Sequence, residues 1–199
     1  MSVRPSAVVV GGTGFIGSQV SAAFVELGYG VRRVSRHEKA PNSVIADISK
    51  DYQILVSALR GANAVVHAAS YVGTDIAKSR EVNVLGTINL IRACQETGIK
   101  NLVYVGTTAV YGPGPHRYAS PSTNPNPRSA ASRDRWLLGR LGLFLLHTKG
   151  IPPSARTSFT SIIEVTELGR LIAGLAAQSR DSRVKTLSGM VCVRCPYPL

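Results

Sequence analysis

The stretch Ala7–Phe24, which reads AVVVGGTGFIGSQVSAAF, decides the fold of this chain. An apolar run is followed by three closely spaced glycines and then by an amphipathic pattern, which predicts a strand, a tight turn and a helix. Glycine suits such a turn because the backbone needs unusual dihedral angles and because no Cβ holds a diphosphate away. The positive end of the helix would then face the phosphates. The pattern favours a nucleotide site over a purely structural glycine turn.

The choice of nucleotide is predicted from the end of the second strand, Gly30–Ser35. An acidic residue there would accept hydrogen bonds from the adenosine ribose and would repel a 2′-phosphate. The chain instead carries Ser35, Arg36 and His37, with Arg33 just before them. A guanidinium grips a phosphate monoester with two parallel hydrogen bonds. We therefore predict NADP(H) rather than NAD, the alternative being that Arg36 is a solvated loop residue.

Strand-like and helix-like segments alternate after this point. Val44–Ala46, Ala64–Ala69 and Asn101–Val105 have strand character, whereas Tyr52–Leu59 and Ser79–Thr97 have helical spacing. The alternation predicts an α/β fold with a doubly wound parallel sheet, the Rossmann fold. Ligands of such sheets bind beyond the carboxyl ends of the strands.

The second half of the chain is less regular. We divide the chain into an NADP-binding Rossmann domain, residues 1–150, and a small substrate-binding lobe, residues 151–199, which is reduced or incompletely represented. The predicted elements of this half are a loop, a helix, a linker, a helix and a strand, in the order Gly112–Pro127, Arg128–His147, Ile151–Ser158, Glu164–Ala177 and Val184–Val193.

Composition excludes several classes of protein. The net charge is +12, but the basic residues are scattered and do not alternate with aromatic ones, so we expect no nucleic-acid site. Apolar runs stop well before membrane length and no secretory signal precedes the first strand, which predicts a cytoplasmic protein with no membrane partner. Cys192 and Cys195 have CxxC spacing without a second pair, so we expect no metal, and Cys94 is predicted to be core.

Several motifs together resemble the extended short-chain dehydrogenase/reductase family, in its NAD(P)-dependent epimerase/dehydratase-like branch. They are GGTGFIG (Gly11–Gly17), Asp47-Ile48, VHAAS (Val66–Ser70), NVLGTINL (Asn83–Leu90) and VYVGTTAVYG (Val103–Gly112). The resemblance implies that Asp47 and Ile48 contact the adenine and that Asn83 lies in a helix supporting the site. The predicted cofactor-binding residues are Gly11, Gly14, Phe15, Ile16, Gly17, Ser35, Arg36, Asp47, Ile48, Ala68, Ala69 and Ser70.

The chain departs from the family at the expected catalytic pair. The resemblance implies a tyrosine followed four positions later by a lysine, but Ser129 and Arg133 stand at those places, and no tyrosine of the chain is followed by lysine at that spacing. An alkyl hydroxyl does not titrate usefully near neutrality, and arginine stays charged. Thr107 falls where the family places a catalytic serine or threonine. The candidate catalytic residues are therefore Thr107, Ser129 and Arg133.

Three functions are compatible with the missing tyrosine. The arginine-for-lysine pattern resembles atypical ketoreductases of bacterial antibiotic pathways of the simocyclinone (angucyclinone) type, which implies an NADPH-dependent ketoreductase of an aromatic polyketide ketone. Positioning alone can lower a barrier by about 7–11 kcal/mol, so an internally hydrogen-bonded ketone could dispense with a tyrosine acid. The alternatives are a non-catalytic NADP-binding sensor or scaffold and a sugar-nucleotide epimerase or dehydratase.

Overall fold

The computed structural model of the chain describes residues 4–37, 41–106, 157–162, 165–178 and 187–192. The larger sheet among these residues consists of β1 (Ser6–Val10), β2 (Gly30–Ser35), β3 (Ser43–Ile45), β4 (Ala64–His67) and β5 (Leu102–Tyr104). Its five strands are parallel and lie in the order β3-β2-β1-β4-β5. Helices pack on both faces of this sheet, and the predicted α/β fold with a doubly wound parallel sheet is confirmed.

Helices alternate with these strands in the order expected for a Rossmann fold. They are α1 (Phe15–Glu26), α2 (Tyr52–Leu59), α3 (Ile76–Ser79), a π-helical segment (Arg80–Leu85) and α4 (Gly86–Glu96), and a further helix, α5 (Val165–Gln178), comes later in the chain. Two further strands, β6 (Thr157–Ile162) and β7 (Leu187–Cys192), pair in parallel as a separate sheet. Among the described helices, none has both the length and the apolar character that crossing a membrane requires.

The central strand β1 is buried on both faces, as its unbroken apolar sequence predicts. Its alternate residues enter two different cores. Val8 and Val10 pack with residues of α2 and α4, including Leu55 and Leu90. On the other face, Val9 and its neighbours pack with residues of α1 and α5. The predicted core position of Cys94 is confirmed, and burial raises the pKa of its thiol to about 12.

Helix α5 packs directly against α1. Ile172 and Ala173 are buried in the same core as Phe24. A Cβ on Gly169 would lie 2.8 Å from the main-chain carbon of Gln19, so the two helices meet at close range. The division of the chain at residue 150, and the assignment of residues 151–199 to substrate binding, stay predictions.

The structure corrects two sequence predictions. The single helix predicted over Ser79–Thr97 is interrupted by the π-helical segment Arg80–Leu85, because apolar spacing does not distinguish i→i+4 from i→i+5 hydrogen bonding. The predicted linker Ile151–Ser158 is wrong at its end, since β6 begins at Thr157 and pairs with Leu187. The predicted loop over 112–127 and helix over 128–147 lie outside the described residues.

Candidate nucleotide-binding cleft

A cleft of about 240 Å³ opens at the carboxyl ends of β1, β2, β3 and β4. This is the edge of the sheet at which parallel α/β folds bind ligands. The lining residues come from four chain segments that follow strands and from the π-helical segment. They are Val10, Gly11, Thr13, Gly14, Val34, Ser35, Arg36, His37, Ala46, Asp47, Ile48, Ala68, Ala69, Ser70 and Val82.

The glycine turn between β1 and α1 forms the floor of this cleft. Gly11 has φ +80°, and its N–H donates to the carbonyl of Val34 at 2.8 Å. A Cβ on Gly11 would lie 2.6 Å from the backbone nitrogen of Ala69, and a Cβ on Gly17 would lie 2.1 Å from the carbonyl oxygen of Gly11. Glycine is therefore required at both places by the close approach of backbone segments, whatever the cleft binds.

The N-terminus of α1 points its free donors toward the same region. Gly14 is the N-cap residue and supplies no side-chain cap, and the first turn contains no acidic residue. The first N–H groups of a helix lack intrahelical partners and carry partial positive charge. Phe15, Ile16 and Gly17 do not line the cleft, and Phe15 is 52% exposed. Their contacts with a cofactor stay a prediction.

The end of β2 carries the positive charge of the cleft. The Ser35 hydroxyl donates to the carbonyl of His37 and so holds the turn after the strand. Nη1 of Arg33 donates to the carbonyl of Pro41 at 3.0 Å on the far side of the same loop. Arg36 is exposed and lines the cleft. Among the described residues at this strand end, Arg33 is engaged with a backbone carbonyl, and Arg36 is the arginine that lines the cleft, where it can meet an anion.

Asp47 begins the turn that follows β3. Its Oδ1 accepts hydrogen bonds from the backbone N–H of Ser49 at 2.9 Å and from the Ser49 hydroxyl at 2.6 Å. Burial disfavours the ionised carboxyl, but these two hydrogen bonds and the charges of Lys50 and Arg36 outweigh burial and lower the pKa of Asp47. Asp47 is therefore a fixed acceptor of the cleft at neutral pH.

The wall after β4 is tied to the π-helical segment. Asn83 is 3% exposed and hydrogen-bonds both backbone groups of Tyr71, next to Ser70. The Thr87 hydroxyl donates to the carbonyl of Asn83 at 2.7 Å, so at 2.9 Å it accepts from Nε2–H of His67. These buried hydrogen bonds connect β4 to the π-helical segment, which also contributes Val82 to the lining of the cleft.

Most of the predicted cofactor-binding residues come together here. Nine of them line the cleft: Gly11, Gly14, Ser35, Arg36, Asp47, Ile48, Ala68, Ala69 and Ser70. The predicted catalytic residues Thr107, Ser129 and Arg133 lie outside the described residues. The predicted list lacks six of the lining residues, including Thr13, which lies within the glycine motif, and Val82, which directly precedes the motif that begins at Asn83. For Val82, the π-helical register that turns it toward the cleft is not visible in the sequence.

A glycine turn between the first strand and helix of a five-stranded parallel sheet, with the cleft at the strands' carboxyl ends, defines a Rossmann-type protein. A model of the NAD dependent epimerase/dehydratase family matches residues 7–133, and the chain belongs to this family. The resemblance to the epimerase/dehydratase-like branch, predicted from the motifs, is thereby confirmed.

Relatives of known activity include both reductases and epimerases. A 4-hydroxy-2-methyl-3-oxo-4-farnesyl-3,4-dihydroquinoline-1-oxide ketoreductase of Stigmatella aurantiaca is 31% identical over 53% of this chain and 34% of its own length. An N-acetyl-α-D-glucosaminyl-diphospho-ditrans,octacis-undecaprenol 4-epimerase of Escherichia coli O157:H7 is 26% identical over 57% of this chain and 36% of its own length. The chain thus spans about a third of the length of these curated relatives.

Solved structures share the fold. MoeE5, in complex with UDP-glucose and NAD, superimposes with a TM-score of 0.66 at 26% identity, over 71% of this chain and 49% of that chain. UDP-N-acetylglucosamine 4-epimerase of Bacillus cereus gives a TM-score of 0.68 at 23% identity, over 80% of this chain and 55% of that chain.

Proposed function

We propose that this chain is the cofactor-binding part of an NADPH-dependent ketoreductase that reduces a carbonyl of an aromatic, polyketide-derived natural product. The observation that carries the proposal is the end of β2, where Arg36 lines the cleft beside a glycine turn. No carboxylate follows Ser35 within the next two positions to accept the ribose hydroxyls of NAD.

The residues of the cleft fit a dinucleotide. The N-terminus of α1, with glycine as its cap, offers backbone donors for the diphosphate. Arg36 would meet the 2′-phosphate, and Asp47 with Ile48 would hold the adenine. Ala68, Ala69 and Ser70 would lie along the middle of the cofactor. The predicted contacts of Gly11, Gly14, Phe15, Ile16 and Gly17 are with the diphosphate.

The ketoreductase activity is supported by the ketoreductase among the relatives, and by the serine and arginine at the positions expected for tyrosine and lysine, a pattern that resembles atypical ketoreductases. When bound, NADPH supplies a hydride to the carbonyl carbon. Thr107 would orient the carbonyl oxygen by hydrogen bonding. Ser129 and Arg133 stand at the positions expected for the tyrosine and lysine of the proton relay. They would not transfer a proton in the same way, because neither group titrates near neutrality. In a substrate with a hydroxyl next to the ketone, an internal hydrogen bond from that hydroxyl would polarise the carbonyl, and water would supply the proton.

A second candidate function, sugar-nucleotide epimerisation, is favoured by the epimerases among the relatives and structural neighbours. That reaction needs reversible proton removal from a sugar hydroxyl, for which the chain offers no tyrosine paired with lysine. A third candidate, a non-catalytic NADP-binding sensor or scaffold, is favoured by the loss of both residues of that pair.

Stopped-flow absorbance of bound NADPH separates the ketoreductase from the sensor. Chromatography of UDP-glucose incubated with the chain and the oxidised cofactor, NADP⁺ or NAD⁺, tests the epimerase, because epimerisation begins with hydride transfer from the sugar to the cofactor. The substrates are aromatic polyketide ketones carrying a hydroxyl next to the carbonyl, matched ketones without that hydroxyl, and UDP-glucose. We expect NADPH oxidation with the first group and much slower oxidation with the second. Tight cofactor binding without oxidation of any ketone would favour the sensor, and conversion of UDP-glucose to its 4-epimer would favour the epimerase. Ser129→Ala should reduce the rate only slightly.

A further inference from the structure

The turn Asp47–Ser49, which forms one wall of the cleft, is attached to α4 by three contacts. Nδ2 of Asn89 donates to the carbonyl oxygen of Ile48 at 3.0 Å and to that of Ser49 at 3.3 Å. The Ile48 side chain lies on Gly86, where an added Cβ would be 2.6 Å from Cγ1 and 2.7 Å from Cδ1. Neither Gly86 nor Asn89 lines the cleft. Helix α4 therefore holds the turn from behind.

The Asn89 side-chain amide can make these two hydrogen bonds in only one orientation. Both partners are backbone carbonyls, which only accept, so the amide nitrogen must face them. Aspartate has the same shape but offers no donor when ionised, and it would set a negative charge against two carbonyl oxygens. The Lys50–Glu81 ion pair also bridges the turn to the π-helical segment, but both side chains are well exposed and such pairs contribute little. Asn89 and Gly86 are thus the contacts through which α4 holds the turn, while the first residue of the turn is also tied to the start of α2 by the Asp47 N–H, which donates to Oδ2 of Asp51 at 2.8 Å.

We propose that Asn89 and Gly86 are positioning residues for the adenosine end of the cleft. Asn89 fixes the backbone of the turn, and Gly86 leaves the space in which the Ile48 side chain rests. Together they set how far Asp47 and Ile48 reach into the cleft, although neither residue contacts the nucleotide. This inference rests on the proposed nucleotide binding. It requires that substitutions of Asn89 or Gly86 raise the Kd for the adenosine half of the nucleotide by more than a loss of folding stability explains.

The first test measures the Kd for ADP-ribose, which lacks the nicotinamide, by calorimetry on the full chain. Asn89→Asp should raise the Kd about tenfold, which corresponds to the loss of one hydrogen-bonded attachment. The matched control is Asn101→Asp, because Nδ2 of Asn101 also donates to a backbone carbonyl, that of Asn63, but at the amino ends of the strands. The control should leave the Kd unchanged. If Asn89→Asp does not fold, Asn89→Ala replaces it.

The second test is a double-mutant cycle between Gly86 and Ile48. Gly86→Ala should raise the Kd for ADP-ribose, because the new Cβ pushes Ile48 off its place. In an Ile48→Ala background the same substitution should have less than about a twofold effect, since the obstructing atoms are gone. Equal effects in both backgrounds would overturn the proposal. So would a lower Tm in either α4 variant with an unchanged Kd, because that result marks a merely structural role.

The outcome for the unmodified chain separates this inference from the proposed function. If it binds neither ADP-ribose nor NADPH nor NADH, the proposed nucleotide binding fails and the positioning role fails with it. If the unmodified chain binds ADP-ribose and the α4 variants bind it equally well, only the positioning role is overturned.

Discussion

Asn83 holds the backbone of Tyr71 with both ends of its side-chain amide. Its Oδ1 accepts from the Tyr71 N–H at 2.8 Å, and its Nδ2 donates to the Tyr71 carbonyl at 3.0 Å. These two hydrogen bonds have the pattern of one residue pair in a β-ladder, but they join a loop to a buried helical residue. The cleft wall at Ala68–Ser70 is therefore fixed to the π-helical segment by a side chain that is itself nearly inaccessible to water.

Asn83→Ala should lower the free energy of unfolding by about 2–4 kcal/mol, because it removes the three hydrogen bonds of a buried side-chain amide, to the N–H and carbonyl of Tyr71 and to the Ser79 hydroxyl. Urea denaturation of the chain without cofactor measures the effect. Asn101→Ala is the control, since the corresponding contact of Asn101 is exposed and its loss should cost less than about 1 kcal/mol. Equal losses in the two variants would contradict the structural role of Asn83.

Ser49→Ala should raise the pKa of Asp47 toward its ordinary value. Burial already acts in that direction, and the substitution removes the Ser49 hydroxyl hydrogen bond that opposes it. Because the folded pKa of Asp47 lies below the ordinary 3.8, its contribution to stability is present above that pH and is lost as pH falls through the folded pKa. The stability difference between the unmodified chain and Ser49→Ala should therefore shrink below about pH 4.

Carboxyl resonances followed by NMR across the acid range measure the titration of Asp47 directly. Ser18→Ala is a matched control, because the Ser18 hydroxyl bonds the carbonyl of Phe15 on the surface of α1. An unchanged Asp47 titration in Ser49→Ala would show that the hydroxyl does not set its pKa.

Gly17→Ala should destabilise the fold by about 3 kcal/mol or more, because the new Cβ would lie 2.1 Å from the Gly11 carbonyl oxygen and backbone must move to admit it. Thermal and urea denaturation report the loss. Gly174→Ala in α5 is the control, since a Cβ there meets nothing within 4 Å. The control should keep or raise stability by up to about 1 kcal/mol, as alanine is the better helix former. A mild effect at Gly17 would refute the close approach of α1 to the turn.

Ile172→Ala should cost about 2–4 kcal/mol of stability, because Ile172 is buried between α5 and α1. The neighbouring Leu171 is 46% exposed on the same helix, so Leu171→Ala should cost less than about 1 kcal/mol. Urea denaturation compares the two. If both substitutions cost the same, α5 does not pack on α1 by this face.

Arg36→Ala should raise the Kd for NADPH at least about tenfold and leave the Kd for NADH nearly unchanged, because only NADPH carries the 2′-phosphate. Fluorescence titration with both cofactors measures the ratio. Arg32→Ala is the control from the same strand, since Arg32 bonds the carbonyl of Arg60 at the other end of the sheet. Equal losses for the two cofactors in Arg36→Ala would defeat the preference for NADP.

The local elements of the first half of the chain could be predicted because their signals are local. The predicted bounds of β2 and α2 agree with the structure to the residue, since Gly28 ends the helix before β2 and Gly61 follows α2 soon after its end. The glycine turn was predicted from the strand before it and the helix after it. Nine of the predicted cofactor-binding residues met in one cleft because strand ends share one edge of a parallel sheet.

Features set by contacts between distant segments could not be predicted. The π-helical segment carries Asn83, which accepts a hydrogen bond from the Tyr71 N–H, and nothing in the apolar spacing records that contact. The helix α5 was predicted as an element, but its place against α1 depends on Gly169 meeting Gln19. The engagement of the Ser35 hydroxyl by the carbonyl of His37 is likewise a property of the folded turn.

The packing of α5 on α1 also has a consequence for how the chain is made. The apolar face of α1 around Val20 and Phe24 is closed by residues as late as Ala176. The residues that form the cleft therefore leave the ribosome before α5 has been synthesised. Until then, α5 does not cover the apolar face of α1 in the nascent chain. Contacts between such distant segments slow folding and expose apolar surface to aggregation. During synthesis, α1 is the surface on which a chaperone would act.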